Sequence, residues 1–210
     1  MKIPSRNALL GRSLLAVAIL GITAASSDAS IVTFLFNLSG ANEAPPNSSP
    51  GTGSGFVSFD DVANTMLVSA SFSGLQGNTT ASHIHAGTAI PFSGVAGVAT
   101  QTPSFSAMPF GVTVGTFTQG FNMTLASSYN ASFLTANGGN TASAFTALVA
   151  FANSGRAYFN LHTTAFPAGE VRGFLTPVPE PGSTVAGMLT LGVCLSRLVK
   201  RTRRDTAATA

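Results

Sequence analysis

Between Ile31 and Leu175 the apolar residues recur at every second position in short runs, and stretches rich in glycine and proline interrupt each run. A period of two places alternate side chains on opposite faces of an extended chain, so this pattern demands strands with one buried face. Val32, Phe34, Phe36 and Leu38 share a face in the first run, and Met66, Val68, Ala70 and Phe72 do so in a later one. Ser39 to Gly55, with Pro45, Pro46 and Pro50, cannot be a helix interior, and Glu43 is its only charge. Asp60-Asp61-Val62-Ala63-Asn64 reads as a turn. Further strands are expected near 57–59, 83–85, 95–99, 112–118, 121–125, 157–162 and 170–175. Two segments, 128–136 and 141–152, instead carry helical spacing, the second capped by Asn140 and ended by Gly155. The fold class is therefore all-β: an antiparallel β-sandwich or Greek-key barrel, of the superoxide-dismutase-like or immunoglobulin-like kind, with one or two short helices.

The two ends of the chain follow different rules. Residues 1–29 run from Lys2, Arg6 and Arg12 through an apolar stretch to small residues, the order of a secretory signal peptide. The end of the chain has Pro177-Val178-Pro179-Glu180-Pro181, an apolar run over 183–199, and then Lys200, Arg201, Arg203 and Arg204. At about 1.5 Å per residue that run spans roughly 25 Å, slightly less than a bilayer core. As a transmembrane helix with a cytoplasmic basic stop, it would leave residues 30–176 outside the membrane. This division gives a signal peptide at 1–29, a β domain at 30–176 and a sorting tail at 177–210.

The tails also account for the chain's net charge of +3. Between Ser30 and Thr176 the charged residues are Glu43, Asp60, Asp61, Glu170, Arg156 and Arg172, a balance of −2. No basic stripe is available to follow a phosphate backbone, which argues against nucleic-acid binding. The single cysteine, Cys194, lies in the C-terminal apolar run, so the exported domain has neither a disulfide framework nor a thiol nucleophile.

Two of the chain's three histidines sit in Ser82-His83-Ile84-His85-Ala86-Gly87. On a strand His83 and His85 share one face, opposite Ile84. The same reasoning puts Tyr158, Asn160 and His162 on one face of a later strand, opposite Phe159 and Leu161. His83, His85 and His162, with Glu170 as a fourth donor, have the chemistry of a mononuclear zinc or copper site, possible redox activity included. A polar structural cluster is the other reading, in which no cofactor is needed and Glu170 pairs with Arg172, two residues along the same strand.

Two family resemblances sharpen these expectations. Pro179-Glu180-Pro181, the short apolar run and the terminal arginines resemble a PEP-CTERM sorting signal. That likeness implies a Gram-negative bacterium, export through signal peptidase, processing by an exosortase-type enzyme and delivery to the cell surface or the extracellular matrix of a biofilm. Leu38-Ser-Gly-Ala-Asn-Glu43-Ala-Pro45-Pro46, Gly74-Leu75, His83-Ile84-His85-Ala-Gly87, Gly155-Arg-Ala-Tyr158-Phe-Asn160-Leu-His162-Thr163 and Pro167-Ala-Gly169-Glu170-Val-Arg172-Gly173 are similar to the CHRD domain, the module named from chordin. This likeness implies an extracellular β-rich module without a settled activity. The order Gly55-Phe-Val-Ser-Phe59, Gly74-Leu75 and His-x-His is also similar to the first half of Cu/Zn superoxide dismutase, but with only His162 to follow, a dinuclear site cannot be built. The expected function is thus a non-enzymatic surface or matrix protein that contacts polysaccharide or protein partners, with the mononuclear metal protein as the alternative.

Overall fold

The computed structural model describes residues 31–178. Residues 1–29, expected to be a signal peptide, Pro179-Glu180-Pro181, the apolar run 183–199 and the basic cluster Lys200, Arg201, Arg203 and Arg204 lie outside the described residues. Among the described residues no helix is long and apolar enough to cross a membrane.

Eight strands form in chain order: β1 (Ile31–Ser39), β2 (Thr52–Asp60), β3 (Thr65–Ser73), β4 (Thr79–Ala86), β5 (Gly115–Asn122), β6 (Ala157–Thr163), β7 (Val171–Phe174) and β8 (Thr176–Pro177). Two helices, α1 (Ala131–Ala136) and α2 (Thr141–Asn153), precede β6. The domain is mostly β and antiparallel, as the alternation requires. Its strands make one sheet in the order β4-β6-β7-β1-β2-β3-β5, with β8 against β1, curled into a half-barrel rather than split into two facing sheets.

Hydrophobic burial accounts for the curl. Phe34, Phe36 and Leu38 on β1, Val57 and Phe59 on β2 and Met66, Val68, Ala70 and Phe72 on β3 are all buried on the concave side. The Phe36 and Phe159 rings stack at 4.9 Å and 5°, and Phe117 of β5 comes within 6.2 Å of Phe159. Strands near opposite ends of the sheet are therefore joined through aromatic contact. Each such buried ring contributes on the order of 1.5–3 kcal/mol. Helix α2 closes the concave side with Ala144, Phe145, Leu148 and Ala152. Its N-terminus is capped by the Asn140 side chain, which accepts from the Ser143 N–H at 2.9 Å, and Gly155 (φ 68°) follows its end.

Local chemistry sets the connections. Asp60 accepts from the N–H groups of Val62 and Ala63 at 3.0 and 2.7 Å, which makes the β2–β3 turn. Where two strands were expected at 112–118 and 121–125, there is one: Gln119 and Gly120 pair with Val68 and Leu67, so the chain does not turn there. The ladder also takes in Thr176 and Pro177, which pair with Leu35 and Phe34. β7 approaches β1 so closely that a Cβ at Gly173 would lie 2.4 Å from the Asn37 carbonyl oxygen, which restricts that position to glycine.

Candidate metal centre

β4 and β6 pair in register, His83 opposite Asn160, His85 opposite Tyr158 and Ala81 opposite His162. Ile84, Phe159 and Leu161 point into the core with no exposed surface, so the pleat must turn the histidines to the other face. That face is covered in turn by the loops: His83 is 7% exposed and His85 is 9% exposed. The three ring centroids form a triangle of 5.9, 5.3 and 6.0 Å.

Each imidazole is held by one backbone carbonyl. His83 Nε2 lies 2.6 Å from the Pro103 oxygen, His85 Nδ1 2.9 Å from that of Ala96, and His162 Nδ1 3.0 Å from that of Pro167. A carbonyl only accepts, so each of these nitrogens carries the proton and its opposite number presents a lone pair. Those opposite nitrogens are His83 Nδ1, His85 Nε2 and His162 Nε2, all buried and all without a partner among the described residues. One ligand nitrogen from each histidine lies within 4.8 Å of those of the other two.

Burial disfavours the charged imidazolium, and it pushes His85 down to about 4, against the Ala96 carbonyl, which favours the proton. His83 and His162 are lowered for the same first reason, again opposed by their carbonyls. All three are neutral at pH 7 and ready to ligate. Two nitrogens about 2.05 Å from a tetrahedral ion sit roughly 3.3 Å apart, so the rings need only a small closing motion. The residues present fit a transition metal: neutral imidazoles suit zinc or copper, and the carbonyls supply the outer hydrogen bonds that fix ring orientation.

A second set of residues, which the alternation did not single out as a group, supports the first. The Tyr158 ring stacks on His85 at 4.9 Å and 2°, and its hydroxyl donates to the same Ala96 carbonyl at 3.4 Å. Arg172 lies over Tyr158 at 4.7 Å and donates to the carbonyls of Asn42 and of Gly94, the latter at 2.9 Å. Glu43, buried beside it, has Oε2 3.8 Å from the guanidinium. Burial raises the Glu43 carboxyl to about 7, against the lowering effect of Arg172 and the Ala44 N–H. The sequence marks Glu43 as the only charge in a proline-rich loop and as part of the CHRD-like stretch Leu38 to Pro46.

Glu170 belongs to neither set. Its oxygens accept from Ser49 Oγ at 2.6 Å, Gln76 N at 2.6 Å, Gly77 N at 3.2 Å and Thr163 Oγ1 at 2.6 Å. Burial alone would raise its pKa, but these bonds hold it below the usual value. The expected Glu170–Arg172 pair is therefore replaced by two separate arrangements. Unpaired backbone N–H groups of the Gln76-Gly77 loop claim Glu170, and Arg172 turns to Glu43. With its lone pairs so engaged, Glu170 is not available as a fourth ligand.

The CHRD family model matches residues 34–175, which takes in both strands of the histidine site and the Glu43 loop. The chain belongs to the CHRD-domain family. CHRD domains are typical of extracellular proteins. No curated protein and no solved structure matches the chain. Within this CHRD domain the histidines come from β4 and β6, and the carbonyls that orient them come from loops.

The buried groups give the metal-free domain a defined pH response. Histidines with lowered pKa bind fewer protons folded than unfolded, so their contribution is complete above about 6.5 and is lost as pH falls below it, toward about 4 for His85. Glu43, raised from 4.5 to about 7, acts oppositely: its contribution is complete below 4.5 and is lost as pH rises through 7. His85 alone accounts for roughly 3 kcal/mol at about 1.4 kcal/mol per pKa unit. With three histidines against one glutamate, chemical denaturation of the apo protein should show stability rising from pH 4.5 to 6.5. A flat or falling profile would contradict the buried, neutral histidines.

Proposed function

We propose that the CHRD domain of this protein holds one transition metal, zinc or copper, in a site made by His83, His85 and His162, and that the chain carries the domain out of the cell. The observation that supports the metal reading most is the set of three buried nitrogens, each the partnerless end of a ring fixed at its other end by a carbonyl. A polar cluster built only for structure would satisfy its own atoms, because an unpaired buried polar group costs about 1–3 kcal/mol. Three such atoms, on histidines each of which offers a ring nitrogen within 4.8 Å of the others, are better explained as donors to a cation.

The three nitrogens would hold the ion, and the ion would act as a Lewis acid and join β4 to β6. Pro103, Ala96 and Pro167 hold the protons on the opposite nitrogens and so keep the lone pairs aimed inward. Tyr158 limits rotation of His85. Purified full-length protein, loaded with zinc or copper and passed through a desalting column, should retain near one ion per chain by elemental analysis. Retention of neither would end the proposal.

Export, exosortase-type sorting and surface or matrix placement are part of the same reading, supported by the order of residues in the two tails. Because Thr176 and Pro177 pair with β1, the informative truncation ends after Val178. Cells producing that variant should release the protein to the medium, and unchanged surface retention would count against sorting through the tail.

A further inference from the structure

The sheet has two ends, and the chain treats them differently. β4 lies at one end, and its outward main-chain groups are met by the stretch 97–112. The Thr79, Ser82 and Ile84 carbonyls accept from the N–H groups of Gly111, Phe105 and Ala99 at 3.0, 3.1 and 2.9 Å, and the N–H groups of Thr79 and Ala86 donate to Val112 and Gly97. β5 lies at the other end and pairs with β3 alone. The Met123 N–H donates to the Asn64 carbonyl at 2.8 Å, which sets the phase of that ladder. Antiparallel partners alternate between pairs that exchange both hydrogen bonds and pairs that exchange none. Counted back from Asn64 and Met123, Thr116, Thr118, Gly120 and Asn122 fall in the second kind, so their N–H and C=O groups point away from β3. The Asn122 carbonyl is taken by the Leu125 N–H and the Ser128 hydroxyl at 3.2 and 2.7 Å. The outward groups of Thr116, Thr118 and Gly120 have no protein partner among the described residues.

These groups are open to an incoming strand. Gly120 has no side chain, so its partial exposure is exposure of main chain, and a Cβ there would meet nothing within 4 Å. Thr116 and Thr118 are exposed. The loop 101–107 is held by the Gln119 side chain, which accepts from the Ala107 N–H at 2.8 Å, and not by the main chain of β5. Gly115–Asn122 contains no proline and no charged residue, the usual devices by which a sheet edge refuses a further strand. The strand is also its own complement. When two copies of β5 are turned about a two-fold axis at Thr118, they run antiparallel, with Thr118 facing Thr118 of the second copy and Thr116 facing its Gly120. Every outward donor then meets an outward acceptor. The same turn sets the start of one strand beside the end of the other, which brings Val114 (63% exposed) and Leu125 (51% exposed) to one end of the ladder. An unrelated strand would match the main chain alone.

We infer that β5 is a self-association edge, through which two copies of this chain join at Thr116, Thr118 and Gly120 into a two-fold dimer with one continuous antiparallel sheet. Because the β4 end is closed by the stretch 97–112, association stops at two copies and does not run on into a filament.

The test is sedimentation equilibrium of the full-length protein in detergent. One pair of strands is a small interface, so the dimer should form with a Kd of roughly 1–100 μM. Thr118→Lys, at an exposed position, sets two ammonium groups facing each other across the axis. It should weaken the dimer about tenfold or more at low salt, with part of the loss recovered at high salt. The C-terminal tail is the same in both proteins, so a dimer held by the tail alone would survive this change. In a Cys194→Ser background, Thr118→Cys should cross-link the dimer on oxidation, since the Cα atoms of such a facing pair lie about 5.5 Å apart. Ser71→Cys, exposed on the same face but one strand further in, should not. A monomer throughout that concentration range, a dimer that Thr118→Lys leaves intact at low salt, or equal cross-linking by the two cysteine variants would overturn the inference.

Discussion

Replacing His83 with alanine is expected to take the protein from near one bound ion to none detectable after desalting, and to weaken affinity by more than about 100-fold. That magnitude exceeds what loss of a supporting outer-shell partner costs, roughly 10–100-fold. If the proposed site is right, one of its three histidine ligands would be gone, and among the described residues Glu170 cannot replace it, because its oxygens are filled by Ser49, Gln76, Gly77 and Thr163. The effect on stability should separate ligand from structural residue. Without metal, the substitution removes one hydrogen bond to Pro103 together with a nitrogen that had no partner, so the net loss should be near 1 kcal/mol. With metal at 1,000 times its Kd, the wild-type domain gains about 4 kcal/mol that the variant cannot gain. Thermal melts of both proteins with and without zinc or copper check this. A metal-induced rise in Tm that survives in His83→Ala would remove His83 from the site.

Glu170→Ala should be the most destabilising single substitution outside the aromatic core, at about 2–4 kcal/mol, because the donors it satisfies are left without a partner. The carboxylate joins three stretches distant in sequence: Ser49 in the loop after β1, the N–H groups of Gln76 and Gly77 before β4, and Thr163 at the end of β6. Alanine would strand two backbone donors and two hydroxyls, of which the Gly77 N–H and the Thr163 hydroxyl make buried hydrogen bonds. For a domain of this size the loss corresponds to a fall in Tm on the order of 10 °C. Glu170→Gln keeps the shape and one acceptor, and should lose less. Because the folded carboxyl titrates below its usual value, the contribution of Glu170 is present above pH 4.5 and declines as pH falls further. A loss under 1 kcal/mol in urea denaturation would show that the four hydrogen bonds contribute little.

The strands and the histidine face were legible because they depend on alternation alone. Ile84 between His83 and His85, and Phe159 and Leu161 beside Asn160 and His162, fix which side is core, and the structure follows. Helix α2 was legible from Phe145, Leu148 and Ala152 and from its cap. What pairing could not be read is set by long-range geometry. Arg172 and Glu170 stand two apart, yet apart from Thr163 their side-chain partners come from loops 78 to 130 residues away in the chain. The single sheet, rather than two, depends on how far Phe36, Phe117 and Phe159 draw it round, which no local pattern encodes. The Pro103 and Ala96 carbonyls were illegible for another reason: they lie in the stretch 88–113, where little regular structure forms and no side chain marks them.

That last point bears on how such a site can change over generations. The three groups that orient the imidazoles are main-chain oxygens, which any amino acid provides equally well. Substitutions at Ala96, Pro103 and Pro167 are therefore filtered by the path of the backbone and not by side-chain chemistry. The inheritance of the centre then rests on three imidazoles and the trace of the chain around them.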